Sequence, residues 1–159
     1  MTMAYKKILV PHDGSGASDR ALERAVPIAS ASGAKIILLN VIPVIVIPPV
    51  MTDYGYSKTT GERLTAATLE KELYYEMRKD AANMLERKRK KYSRQKVTME
   101  PKLVVGHAPD KITEFIREQN IDLVVMGTTS LQGIAKIATI GSVARKVSEE
   151  SPCPVILVH

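Results

Sequence analysis

The sequence holds one cysteine, no tryptophan and one phenylalanine among 159 residues. A lone Cys153 excludes an intramolecular disulfide and a cysteine-rich metal site. Standing between Pro152 and Pro154, ahead of an apolar run, it reads as a small core residue. The three histidines, His12, His107 and His159, show no metal-ligand spacing. His12 adjoins Asp13, yet no Ser or Cys stands with it in a recognisable nucleophile setting. There is no G-x-x-x-x-G-K-[ST], which excludes a P-loop NTPase, and no G-x-G-x-x-G after the first strand, which argues against a dinucleotide site. No apolar run reaches the roughly 18 residues of a membrane helix, and no leader pattern opens the chain. The expectation is a cytoplasmic, reducing setting with no membrane partner.

What is present is a hydrophobic fraction of 45%, too high for a disordered chain, and a length that fits a single domain over residues 1–159. The net charge of +6 is concentrated: Glu62 to Lys96 holds 11 Lys and Arg against 6 Asp and Glu. Its densest part, Glu86 to Lys96, is the kind of run that binds nucleic acid or acidic lipid. A helix end with cations near the negative end of its dipole gives the same pattern. Tyr92 is the only aromatic in the run, so no stacking platform accompanies it. The solvated helix end is therefore the preferred reading, and no nucleic-acid partner is expected.

Along the chain, short apolar runs alternate with helical periodicity. Lys6–Val10 reads as a first strand, with a Pro11–Ser15 turn. Ser18 reads as the N-cap of a helix to about Ser32, with apolar residues at Ala21, Leu22, Ala25, Ile28 and Ala29 and a stop at Gly33. Lys35–Val41 is a second strand. Ile42–Gly61 is a long connection whose Val44, Ile45, Val46 and Ile47 need cover from the domain or a partner. Glu62 to about Ser93 reads as one long helix with a stripe at Leu69, Leu73, Met77, Ala81 and Met84 or Leu85. Lys96–Val105 is a third strand, with Pro101 pointing to an edge or bulge. A helix over Asp110–Gln119, a strand over Ile121–Met126, a helix from Ser142 to about Ser151 and a strand over Val155–Val158 complete the pattern. Five strands alternating with four helices imply an α/β fold, an open, doubly wound, Rossmann-like parallel sheet. Ligands in such sheets sit at the carboxyl ends of the strands, where strand order switches. The turns at Asp13 and Gly127 form the natural pair there.

The stretch from Asp122 to Ser142 organises the rest. The buried-strand run Leu123–Met126 stops at Gly127. A small polar segment with Thr128, Thr129, Ser130 and Gly133 follows, and Gly141-Ser142 opens a helix. Glycines admit close backbone approach, and free amides at a helix start point at an anion. The spacing fits a phosphate cradle and equally a plain loop with a Gly-Ser helix cap.

VPHDGSGASDRAL after the first strand, with VVMGTTSLQGIAKIATIGSVARKV and SPCPVILV at the far end, resembles the opening and closing signatures of the universal stress protein family. The resemblance covers nearly the whole chain and is weakest across Pro43–Tyr92. It implies a doubly wound sheet of the adenine nucleotide α-hydrolase-like kind and a homodimer paired through Val155, Ile156, Leu157 and Val158. One branch of the family binds ATP, usually with a divalent metal such as Mg or Mn; another does not. The binding branch carries glycine, two residues, glycine, nine residues, then glycine with Ser or Thr. Here Gly127 and Gly141-Ser142 match, whereas Ser130 replaces the second glycine and ten residues follow it. By this resemblance Asp13 accepts from ribose hydroxyls, and the Val41 backbone meets the adenine edge. Pro11 and Met126 pack near the base, and the Gly127 backbone approaches the ribose. Gly141, Ser142 and Val143 offer amides to phosphates, and Thr129 and Ser130 add hydroxyls. The expected function is an ATP-binding stress or signalling module. The alternatives are a slow ATPase or nucleotidyl transferase, and a ligand-free interaction dimer.

Overall fold

The structure, a computed structural model, describes residues 5–48, 54–129 and 140–159. Its strands are β1 (Lys7–Pro11), β2 (Lys35–Ile42), β3 (Met99–Val105), β4 (Leu123–Gly127) and β5 (Val155–Val158). Its helices are α1 (Gly16–Ser32), α2 (Ala66–Lys91), α3 (Ala108–Glu118) and α4 (Ser142–Glu150). The strands form one five-stranded sheet in the order β3-β2-β1-β4-β5. Every neighbouring pair is parallel.

Side-chain alternation explains why the sheet is covered on both faces. Ile8, Val10, Ile36, Leu38, Leu123 and Val125 point to one face and pack with Leu22, Ala25 and Val26 of α1 and Leu85 of α2. Leu9, Ile37, Leu39, Val124 and Met126 point to the other and pack with Ile112 and Ile116 of α3 and Ala144 and Val147 of α4. The central strands thus bury both alternating sets, and their sequences read as unbroken apolar runs. β3 and β5 are the edges. Pro101 lies in edge strand β3, where its missing N–H leaves no ladder bond unmade on the open side.

Several boundaries differ from the sequence reading. The cap of α1 is Ser15, not Ser18: the Ser15 side chain accepts from the Ser18 amide, so the helix opens at Gly16. Pro27 sits within a continuous α1, which ends at Gly33 in a left-handed conformation. α2 opens at Ala66 rather than Glu62, because Thr65 and Thr68 form a reciprocal capping box there. Residues Tyr56 and Arg63 instead bridge within the preceding loop. Of the α2 stripe only Leu85 is fully buried, and Leu73 is 40% exposed. In the connection after β2 the Ile45 amide donates to the Tyr74 hydroxyl, whereas Val44 and Val46 remain exposed. The basic end of α2 is partly paired: Lys88 with Asp19, Arg89 with Glu86 and Lys91 with Glu23. Among the described residues no helix is long and apolar enough to cross a membrane.

Candidate functional site

β2 and β3 are laid down to one side of β1, and β4 and β5 to the other, so strand order reverses between β1 and β4. The crevice at the carboxyl ends of these two strands is a cavity of about 350 Å³. It lies where open α/β sheets leave room for a ligand, and its size is within the range of small-molecule sites. Pro11, Asp13, Val41, Met126, Gly127, Thr129, Gly141, Ser142 and Val143 all line it. Ser130, the tenth candidate, and residues 131–139 lie outside the described residues.

The β1 turn is held by a dense set of hydrogen bonds. Asp13 Oδ1 accepts from the Ser15 amide and from the Ser18 hydroxyl, each at 2.9 Å. Burial disfavours the charged form, but the bonds from Ser15 and Ser18 outweigh it and hold the Asp13 carboxyl below the usual carboxylate range. Asp13 therefore stays an anion at neutral pH, at an exposed lip of the cavity. His12 beside it is buried, with its Nδ1 accepting from the Gly14 amide at 3.1 Å and its Nε2 facing Asp19 Oδ1 at 3.1 Å. Burial lowers the His12 pKa, with Asp19 pulling the other way.

Gly127 has a packing reason beside the one the resemblance implies. A Cβ at Gly127 would lie 2.8 Å from the carbonyl carbon of Ala17. The glycine admits the first turn of α1 against the end of β4, and the requirement comes from helix packing. Gly141 closes the base of the loop that follows β4. Its amide donates to the Thr128 carbonyl at 2.7 Å, and a Cβ there would press on that same oxygen at 3.1 Å. Thr128 is itself tied to the last strand, its amide donating to the Val158 carbonyl at 2.9 Å. Gly141 is also the N-cap of α4, and among the described residues no side chain caps that helix. The positive end of the α4 dipole therefore opens on the cavity, its first turn lining the wall.

Opposite this polar side, Pro11, Leu39, Val41, Ile112 and Met126 supply apolar surface. The cavity thus joins an apolar slot, a fixed carboxylate and an amide-rich helix start, which suits a ligand with a flat apolar part, hydroxyls and an anionic tail.

The model of the universal stress protein family matches residues 4–159. The chain belongs to that family. It is 29% identical to universal stress protein YxiE of Bacillus subtilis over 98% of this chain and 99% of that protein. It is 31% identical to universal stress protein MJ0531 of Methanocaldococcus jannaschii over 97% of this chain and 82% of that one. Among solved structures, a universal stress protein in complex with cAMP matches with a TM-score of 0.67 and 30% identity, covering 98% of both chains. Universal stress protein UspA from Lactobacillus plantarum matches with a TM-score of 0.78 and 23% identity over 99% of this chain and 100% of that one. The family protein from Archaeoglobus fulgidus in complex with dAMP matches with a TM-score of 0.60 and 24% identity, over 99% and 100% of the chains.

Sequence reasoning missed His12, Ser15, Ser18 and Asn40, all of which line the cavity. Two signals pointed to three of them, and none to Asn40. His12 continues the alternation of Ile8 and Val10, which places it under α1. Ser15 and Ser18, three apart at a helix start, have the spacing of a cap.

Proposed function

We propose that this chain is an adenine nucleotide-binding module, with ATP the leading ligand, in the cavity between the ends of β1 and β4. The observation that carries the reading is the meeting, in one crevice, of the Asp13 carboxylate and the start of α4, across an apolar slot. The relative 30% identical over nearly the whole chain is a complex with cAMP, and a more distant one is a complex with dAMP, which points to the adenine nucleotide class.

In this reading the adenine lies between Pro11, Val41 and Met126, where its flat face removes apolar surface from water. One oxygen of Asp13 is held by Ser15 and Ser18, which leaves the other to accept from ribose hydroxyls. Amides of Ser142 and Val143, with the Ser142 hydroxyl, meet the phosphates. Thr129 and Ser130 add hydroxyls. Among the described residues no three His, Cys, Asp or Glu side chains cluster as a metal cage. A divalent Mg or Mn would therefore arrive on the nucleotide phosphates, the usual manner for Mg at such sites.

Release of ligand by denaturing the purified protein, with mass spectrometry of the supernatant and calorimetry with ATP, tests this. Recovered adenine nucleotide and a saturable ATP isotherm are expected. An empty protein that gives no heat with any adenine nucleotide overturns the reading in favour of the ligand-free interaction dimer. Self-association is proposed through β5. It is an edge strand of four residues whose Ile156 is 38% exposed, and such edges invite pairing with a second copy.

A further inference from the structure

The His12 imidazole is enclosed on all sides. Its side chain has 0% exposure, and β2 fixes its backbone: the His12 amide donates to the Leu39 carbonyl, and Asn40 Nδ2 donates to the His12 carbonyl, each at 2.8 Å. Two contacts determine its proton. The Gly14 amide can only donate, so Nδ1, 3.1 Å away, must be bare. The proton then lies on Nε2 and is directed at Asp19 Oδ1, 3.1 Å away. Asp19 in turn pairs with Lys88 of α2 at 2.5 Å. Gly14 and His12 flank Asp13, and Gly14 holds a left-handed backbone at φ +86°. The bond from Gly14 to His12 therefore closes a small ring of backbone that carries the Asp13 side chain at its apex.

We propose that His12 is a positioning residue for nucleotide binding: its neutral imidazole holds the Gly14 amide, and with it the Asp13 carboxylate, and a proton on Nδ1 releases that turn. The inference rests on the nucleotide reading above. A protonated Nδ1 would set N–H against N–H at a distance that only a donor and an acceptor tolerate. The Ser18 hydroxyl, 3.3 Å from Nδ1, can accept that proton while still donating to Asp13 at 2.9 Å, but the Gly14 amide is then left without its acceptor. The charged groups facing the imidazole are Asp19 of α1, Lys88 of α2 and Asp13 of its own turn. Burial disfavours the charged imidazole most, and Lys88 adds to that effect against the attraction of Asp19, so the neutral form prevails at neutral pH. Acidification through the His12 titration then weakens the nucleotide by releasing the turn that holds Asp13.

Two substitutions separate this role from space filling. His12→Asn places an amide oxygen near the position of Nδ1 and keeps an acceptor for Gly14. His12→Gln places an amide nitrogen near Nε2, keeps the donor to Asp19 and loses the acceptor. Adenosine is the probe, because it carries no group titrating between about pH 5 and 8, the range in which histidine changes charge. Wild type should lose adenosine affinity on acidification through the His12 titration. His12→Asn should bind about tenfold more tightly than His12→Gln at pH 8, and neither variant should show the wild-type acid loss. In the ligand-free protein the Gly14 amide and Asp13 carboxyl resonances should follow the His12 imidazole titration. Equal affinities for the two variants, an acid loss retained in His12→Asn, or Gly14 and Asp13 resonances indifferent to His12 would each overturn the proposal. The ligand-free titration decides the positioning role by itself. A wild type that binds no adenine nucleotide at any pH, with the resonances still coupled, overturns the nucleotide reading and leaves the histidine-controlled turn standing.

Discussion

Replacing Asp13 separates the anchoring of the turn from the proposed contact with ribose. Asp13→Ala removes the acceptor for the Ser15 amide and the Ser18 hydroxyl. The Ser15 amide is exposed and the Ser18 hydroxyl is buried, so the cost to stability should be about 0.5–1.5 kcal/mol for each bond, reduced at Ser15 where water replaces the carboxylate. Ser15 still caps α1 through Ser18, so the fold should survive. The nucleotide loses a charge-assisted acceptor on its ribose, about 1–3 kcal/mol, or roughly 5- to 150-fold in affinity. Asp13→Asn keeps an oxygen for Ser15 and Ser18 but no charge, and should fall between wild type and alanine. The assay is calorimetry with ATP at constant pH and salt, paired with thermal unfolding of each variant. If both variants fold and bind ATP as wild type does, Asp13 is outside the site.

Gly127→Ala should destabilise the protein by about 1–3 kcal/mol, the range for overpacking a tight contact, because its Cβ would meet Ala17 backbone at 2.8 Å; chemical denaturation measures this, and an unchanged midpoint would show that α1 gives way freely. Ile156→Lys puts a charge on the open edge of β5 and should turn a dimer into a monomer in sedimentation, and a dimer that persists would place the interface elsewhere. The described lining of the cavity holds one carboxylate, Asp13, already committed to its turn, so ATP turnover should stay well below about 1 per second; faster hydrolysis in a magnesium or manganese assay would establish an enzyme. His12 has a folded pKa below its unfolded one, so as pH falls below the usual imidazole value the unfolded chain binds a proton that the folded chain refuses, and stability declines. His12→Asn should remove that part of the acid decline in urea titrations, and an identical decline in the variant would contradict the shift.

The layers of the fold were legible because the central strands bury both faces. Lys35–Val41 and Leu123–Met126 are apolar at nearly every position, a pattern that belongs to parallel sheets between helices. Pro101 signalled an edge for the same physical reason that it is found there. Helix starts were less legible, since Ser15 and Ser18, or Glu62 and Thr65, are all acceptable caps, and only the hydrogen bonds choose between them. The alignment of Asp13 with Gly141–Val143 came from topology and the family signatures. The turn chemistry of His12 did not, because a histidine beside an aspartate carries no label until Gly14 and Asp19 are seen on its two nitrogens. Gly127 was singled out from its place after β4, and the close approach of Ala17 adds a packing reason that the strand pattern did not show. The α2 stripe was over-read, since Leu73 follows the helical period yet stays exposed beyond the sheet.

Amide chemical-shift mapping of an ATP titration tests the central claim most directly, because it reports binding and place together. Saturable shifts at Gly14, Val41, Gly127, Ser142 and Val143, with α2 beyond Lys71 undisturbed, are the expected result. Saturable shifts confined to another face of the molecule, or none at millimolar ATP, would contradict a nucleotide site between the ends of β1 and β4.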